Sequence, residues 1–387
     1  MRLLHTADWH LGRIFNKQYL TEDQRHILNQ LEDYLQQTPP DVLVIAGDIY
    51  DRSIPPEEAI NLLDTFLSKV VLQLKIPTIL VGGNHDGQQR MSFGSKLMED
   101  AGLYVVGSIS SDPVQICLHD EHGPVYFYPI PYATPFGCRD LFSDEEIKTH
   151  HDGMEKLIAE VKEVHPSKKR SVLITHAFVA GGETSESERL LGVGGATDVS
   201  PGLFKEFDYV ALGHLHRPQQ AGSEFIRYSG SLLKYSFSET DHQKGMTLVT
   251  LNRDGFVEAK QISFTPLRDV RKIEGKFVDL LESGRMYPSD DYLQITLLDK
   301  GAILDPMPRL REFYPNVLEV RRKIHTDPDQ RQLLNEQRDF KSRSVEDLFA
   351  DFFQQVTDES LSDDQEKAFA AVVNTDSSHA GGSECDH

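Results

Sequence analysis

Positive charge is scarce in this chain: 40 Lys and Arg stand against 61 Asp and Glu, a formal net charge of −21. On its face that argues against a nucleic-acid binder, whose usual footprint is basic. The deficit is uneven, however. Residues 351–387 hold nine acids against one base, Lys367, and so supply −8 of the total. The remaining −13 includes carboxylates that bound cations would offset. Cysteine is scarce too. Cys117, Cys138 and Cys385 lie far apart and form no metal-type pair, so a reduced, cytoplasmic chain is expected. Long apolar runs are absent as well: none reaches the ~18 residues of a membrane span. The opening MRLLHTAD has no apolar segment of a signal peptide behind it and reads as a strand that starts at once.

What is present is an ordinary soluble balance, 39% hydrophobic and 26% charged, over 387 residues. That length implies two or three domains. Short apolar runs end in polar residues five times: 1–10, 41–48 (DVLVIAGD), 77–86 (PTILVGGNHD), 171–176 (SVLITH) and 208–216 (DYVALGHLH). Continuous apolar runs of this length predict buried strands. Helix-like stretches at 20–37 and 56–73 alternate with them, which predicts an α/β layer fold. In such sheets the carboxyl ends of the strands form the ligand crevice. The spacing therefore predicts that the terminal Asp, Asn and His residues gather at one edge of one sheet. Residues 224–264 read as further strands completing a second sheet. Residues 268–323 read strand–helix–strand–helix–strand, a small α+β domain. SVEDLFADFFQQV (344–356) is an amphipathic helix with Val345, Leu348, Phe349, Phe352, Phe353 and Val356 on one face and Ser344 as N-cap.

The candidate ligands are Asp8, His10, Asp48, Asn84, His176, His214 and His216. Asp8 and His10 are two apart, so an extended chain would point both to one side. Taken singly, each segment has an ordinary reading; Gly-Asn-His-Asp, for example, makes a good turn. Five such segments, each closing an apolar run, are hard to explain as packing. Oxygen and imidazole donors without Cys suit divalent ions such as Mn²⁺, Fe²⁺ or Zn²⁺. Seven donors are too many for one ion and suit two ions sharing a carboxylate, a device for hydrolysing phosphoesters. Gly47, Gly83 and Gly213 beside the ligands permit sharp turns and close backbone approach.

These segments resemble the calcineurin-like metallophosphoesterase superfamily. HTADWHLG, AGDIYDR, GGNHD, THAF and ALGHLHRPQ are similar, within it, to the SbcD family of bacterial nuclease subunits. The resemblance implies a four-layer metallophosphoesterase β-sandwich flanked by helices, an α+β capping domain and C-terminal partner-binding helices. The implied division is 1–264 nuclease, 265–324 capping, 325–358 linker and ATPase-binding helix, and 359–387 acidic tail. It implies two ions, Mn²⁺ in the first instance. Asp8, His10, Asp48 and His216 would hold one; Asp48, Asn84, His176 and His214 would hold the other, with Asp48 bridging. His85 would protonate the leaving oxygen, with Asp86 orienting it and Asp51 in support.

The same resemblance implies a partner, an SbcC-type ABC ATPase with a coiled coil. Leu348, Phe349, Phe352 and Phe353 would dock on it, and the chain would form a homodimer within a heterotetramer. The implied activity is ATP-independent 3′→5′ exonuclease on duplex DNA and endonuclease at hairpins and single strands, in repair, replication and recombination. Arg13, Lys17, Arg52, Arg90 and Lys234 are the candidate DNA contacts. Two other readings stand beside this one. A small-substrate phosphodiesterase or phosphatase would not need residues 268–356, and the phosphatase pattern wants G-N-H-E where this chain has Asp86. A non-catalytic scaffold would have lost ligands, and this chain lacks none.

Overall fold

The computed structural model describes residues 1–188, 198–299 and 303–323, together with 349, 350, 353, 361, 362, 365 and 369. The chain forms two compact units, Met1–Arg322 and Lys323–His387. Among the described residues no helix is long and apolar enough to cross a membrane.

Two six-stranded sheets make the centre of the first unit. In one, the strands Arg2–Thr6, Val42–Ala46, Thr78–Val81 and Leu103–Val106 run parallel to one another. The antiparallel pair Gly245–Asn252 and Gly255–Ser263 joins this sheet beside Arg2–Thr6. In the other, Gly123–Ile130, Arg170–His176, Tyr209–Gly213 and Ile226–Tyr228 run parallel. Its edges are Ile116–Asp120 and Gln219–Gln220.

Strand alternation builds the layers. Val42, Val44 and Ala46 face the second sheet, whereas Leu43 and Ile45 face the helices outside. In the second sheet Val172, Ile174, Tyr209 and Ala211 face inward, and Leu173, Val210 and Leu212 face outward. Burial on both faces is why these strands read as unbroken apolar runs. Helices Thr21–Gln37 and Glu57–Leu67 cover the first sheet through Ile27, Leu28, Leu31, Leu63 and Phe66. Helix His150–Val164 covers the second through Met154, Leu157, Ile158 and Val161. Its start is fixed by a capping box: Asp152 N–H donates to Thr149 Oγ1 (3.2 Å) and Thr149 N–H donates to Asp152 Oδ2 (2.8 Å), worth about 1 kcal/mol. The expected helix–sheet–sheet–helix stack is thus the observed one.

Two expectations need correction. The five apolar runs do not share one sheet: three belong to the first and two to the second. Residues 245–263 complete the first sheet, not the second. A run buried on both faces carries no mark of which sheet takes it, so pattern alone could not assign either.

Residues 270–322 form a three-stranded parallel sheet, Val270–Gly275, Tyr292–Leu297 and Val317–Arg322, with helices Phe277–Met286 and Pro306–Arg311 between the strands. Parallel pairing is what strict strand–helix alternation requires. Leu280, Leu293, Ile295 and Leu310 lie in its core. Arg268 (2.9 Å) and the Tyr292 hydroxyl (2.9 Å) both donate to Asp23 of helix Thr21–Gln37, tying this layer to the sandwich.

In the second unit Phe349 stacks on Phe369, with centroids 3.8 Å apart, and meets Phe353 at 6.4 Å. Leu348 and Phe352, the Ser344 cap, Val345 and Val356 lie outside the described residues.

Candidate metal centre

The carboxyl edges of the two sheets face each other across the top of the sandwich, and the loops leaving the strands meet there. Asp8 N–H donates to Gly47 O (3.0 Å) and His10 N–H to Asp48 O (2.9 Å), lacing the first two loops together. The expectation that Asp8 and His10 lie on an extended chain is overturned: their φ values are +54° and +45°, and Asp48 and His214 are also left-handed at +49° and +114°. Such positions cost on the order of 1–3 kcal/mol each and persist only where the surroundings over-determine them. Part of that determination is Gln24, fully buried, whose amide donates to His10 O (2.7 Å) and accepts from Gly12 N–H (3.0 Å).

Two glycines set how closely the sheets approach. A Cβ on Gly213 would stand 1.8 Å from Ala46 O across the sandwich, and one on Gly47 would stand 2.3 Å from His176 Nδ1. No side chain fits either place.

The seven predicted ligands all arrive at this junction and are buried or nearly so. His10 Nε2 lies 3.0 Å from His216 Nε2. Asn84 Oδ1 lies 2.9 Å from His176 Nε2 and 3.2 Å from His214 Nδ1. Asp48 Oδ2 stands between the two groups, 3.7 Å from His10 Nε2 and 3.4 Å from His176 Nε2. Asp8 joins both His10–His216 and Asp48–His176 in clusters tight enough for a cation. Neighbouring ligands held about 2.1 Å from one ion stand roughly 3 Å apart, so these spacings fit divalent cations. His5, by contrast, is a core residue: one ring nitrogen meets the Tyr209 hydroxyl (2.9 Å) and the other Leu212 O (3.2 Å).

Electrostatics favour a cation as well. Burial pushes Asp8 up to about 7 against the pull of His176 and His216. Burial lowers His214 to about 3 and takes His10 well below its ordinary value. Burial would also raise Asp48, but His176 and His10 hold its carboxyl well below the usual range. Neutral imidazoles at His10 and His214 keep their lone pairs free, and ionised Asp48 supplies charge. His176 runs the other way: against its burial, Asp48 and Asp8 raise it to about 9, so a cation there would replace its proton.

His85 sits beside this cluster, its Nε2 3.9 Å from Asp48 Oδ2 and its Nδ1 2.7 Å from Asp51 O. The orienting partner is therefore the Asp51 carbonyl. Asp86 was expected in that place, and the structure corrects this. Its carboxylate accepts from the N–H groups of Ile49 (3.1 Å), Tyr50 (2.9 Å) and Gly83 (2.9 Å), clasping two ligand loops. Burial and the Asp48 charge raise its pKa to about 6. Asp51 instead pairs with Arg13 (2.7 Å).

The candidate DNA contacts divide. Arg13 is spent on Asp51 and on the face of Tyr235 (5.4 Å), and Lys234 on Asp269 (2.9 Å) and Thr240 O (2.9 Å). Both are thus engaged in pairs within the chain. Lys17, Arg52 and Arg90 are exposed. Gln24 escaped sequence reasoning although a sign was there: it occupies the first position of the buried stripe Gln24, Ile27, Leu28, Leu31, Leu35.

Residues 1–218 match the calcineurin-like phosphoesterase family. The chain belongs to that family. As a metallophosphoesterase it works with divalent metal ions. Residues 266–357 match the type 5 capsule protein repressor C-terminal domain. Over 365 residues the chain is 35% identical to the SbcD component of the SbcCD nuclease of Staphylococcus epidermidis, covering 94% of this chain and 95% of that protein. A dimetal phosphatase from Danio rerio superposes with a TM-score of 0.40 at 14% identity, over 68% of this chain and 99% of that one. The calcineurin-like phosphoesterase YfkN from Bacillus subtilis gives 0.32 at 12% identity, over 68% and 88%.

Proposed function

We propose that this metallophosphoesterase is the nuclease subunit of an SbcCD-type complex, a two-metal DNA phosphodiesterase. The observation that carries the reading is Asp48 Oδ2 standing between the His10–His216 pair and the Asn84–His176–His214 trio. Asp8, His10, Asp48 and His216 hold one ion; Asp48, Asn84, His176 and His214 hold the other. Nitrogen and oxygen donors without sulfur suit Mn²⁺. When bound, such a pair supplies charge neutralisation at the phosphate and acidifies water for attack.

The chain's own chemistry centres on His85. With Nδ1 committed to the Asp51 carbonyl, its proton is exchanged at Nε2, the nitrogen facing the cluster. There it protonates the leaving oxygen of the DNA phosphodiester. Lys17, Arg52 and Arg90 contact phosphates along the duplex. The activities are ATP-independent 3′→5′ exonuclease on duplex DNA and endonuclease at hairpins and single strands, serving repair, replication and recombination in the cytoplasm at the nucleoid. An ABC-type ATPase partner docks on the segment containing Phe349 and Phe353, and ATP binding there regulates access.

A second copy of the chain covers one further face. Ile54, Ile60, Leu72, Phe93, Leu97 and Met98 are exposed around one apolar groove of about 610 Å³. A patch of this kind, beside the Asp51 loop, suits a two-fold interface. Two copies and two ATPase subunits make the heterotetramer.

The test is His85→Gln with metal content and nuclease rate measured on labelled duplex DNA. Full metal content with a rate lower by about 10²–10⁴-fold is expected for loss of an acid. A retained rate refutes the role, and lost metal makes His85 a ligand. Faster turnover of a nitrophenyl phosphodiester than of DNA would overturn the nuclease reading.

A further inference from the structure

His216 is gripped from behind as well as in front. Its Nε2 faces His10; its Nδ1 lies 2.7 Å from Ser187 Oγ and 3.6 Å from Glu239 Oε1. Ser187 Oγ in turn hydrogen-bonds Glu239 Oε1. Glu239 is fully buried, and its other oxygen accepts from Lys244 Nζ at 2.5 Å. Lys244, 7% exposed, spends its remaining protons on His216 O (2.6 Å) and Ser231 Oγ (2.9 Å). Glu188 Oε1 accepts from His216 N–H (2.8 Å). No motif or spacing announces Ser187, Glu239 or Lys244.

The direction of these bonds follows from the groups involved. An ionised carboxylate only accepts, so the Ser187 proton points at Glu239. The Ser187 oxygen then presents a lone pair to His216, and Nδ1 must be the nitrogen that carries hydrogen. That leaves the Nε2 lone pair facing His10 and Asp8. A buried ion pair is costly and could be replaced by apolar side chains without loss of stability. Here Lys244 keeps Glu239 charged in the interior, and the charge sets the polarity of the relay. Among the described residues His10 has no such relay: its Nδ1 meets no hydrogen-bond partner there, and Asp51 Oδ1 stands 3.6 Å away.

We infer that Glu239, acting through Ser187 and held by Lys244, is the positioning residue of His216 and sets the affinity of one of the two metal positions. The inference rests on the two-metal reading above. Outer partners of this kind are worth about 10–100-fold in metal affinity.

The test titrates Mn²⁺ calorimetrically into the full-length wild type, Ser187→Ala, Ser187→Thr and Glu239→Gln. A parallel ¹⁵N spectrum of the histidine-labelled metal-free chain reports the His216 tautomer, its signals assigned by their loss in His216→Gln. The expected result is two ions in the wild type and one of them weakened about 10–100-fold in Ser187→Ala and Glu239→Gln. The other ion stays within two-fold, and Ser187→Thr restores both. The spectrum should show hydrogen on Nδ1 in the wild type and a mixture of tautomers in Ser187→Ala. Ser187→Ala removes one hydroxyl from a half-buried loop, so it keeps the test open should Glu239→Gln fold poorly. Wild-type affinities and tautomer in Ser187→Ala overturn the relay while leaving the two-metal reading intact, as does an equal loss at both ions. A wild type that binds fewer than two ions overturns the reading beneath it.

Discussion

Asp120→Asn should destabilise the sandwich by about 3 kcal/mol without touching the metal centre. Arg170 begins the strand that ends in His176, so it lies at the far end of the sandwich. Its two terminal nitrogens donate to Asp120 at 2.8 and 2.6 Å. It also donates to Gly123 O (2.9 Å) in its own sheet and to Asn252 O (3.0 Å) in the other. Asp120 also meets the buried Met1 ammonium (2.6 Å), and Arg170 and Asp120 are themselves buried, at 7% and 6% side-chain exposure. Breaking a buried pair costs about 3–5 kcal/mol. The two carbonyl acceptors remain, which places the expected loss at the lower end. At about 2–4 °C per kcal/mol, Tm should fall by roughly 6–12 °C.

The loss should depend on pH. The Arg170 guanidinium holds Asp120 well below the usual carboxylate range. Its stabilisation is therefore complete above the unfolded value of about 3.9 and fades as pH falls through the depressed folded value. Wild type and variant should differ most at neutral pH and converge in acid. Denaturant melts at pH 7 and pH 3 measure both. A double change, Asp120→Leu with Arg170→Met, should recover only part of the loss, because it leaves the buried Met1 ammonium without its carboxylate. A variant within about 1 kcal/mol of wild type at pH 7 would refute the reasoning.

Three further outcomes are expected. Mn²⁺ at roughly 100 times its Kd should stabilise the chain by about 2.7 kcal/mol per site, and EDTA should remove the gain; a Tm indifferent to chelation would contradict ions shared between the sheets. Removing Arg52 or Arg90 should weaken DNA binding for all sequences alike and lower the log–log salt slope by about one per residue; an unchanged slope would take that residue off the duplex. Phe93→Asp with Leu97→Asp should yield monomers in light scattering, and a persisting dimer would move the self-association surface elsewhere.

The gathering of the candidate donors was legible because five apolar runs stop at Asp, Asn or His, and nothing in packing demands that. The layer order was legible for the same reason, since unbroken apolar strands must be covered on both faces. What escaped was everything that depends on partners distant in the chain. The left-handed backbone at Asp8, His10, Asp48 and His214 is imposed by lacing between loops. The clasp by Asp86 needs the Ile49 and Tyr50 amides to be near, which spacing cannot say. Arg13 and Lys234 look like free cations in the sequence and turn out to be paired. Glu239 stands 23 positions from the histidine it serves. Gln24 differs, because a polar residue in an apolar stripe is a visible anomaly.

The division of the donors between two sheets bears on when this chain becomes active. The first sheet contributes Asp8, His10, Asp48 and Asn84; the second contributes His176, His214 and His216. Each proposed metal position draws on both, so neither half of the sandwich alone would offer a complete site. During synthesis the last donor, His216, emerges only after more than half of the 387 residues. A chain stalled before His216 would therefore lack a complete set of donors, and metal capture by the proposed site would require that the two sheets have met.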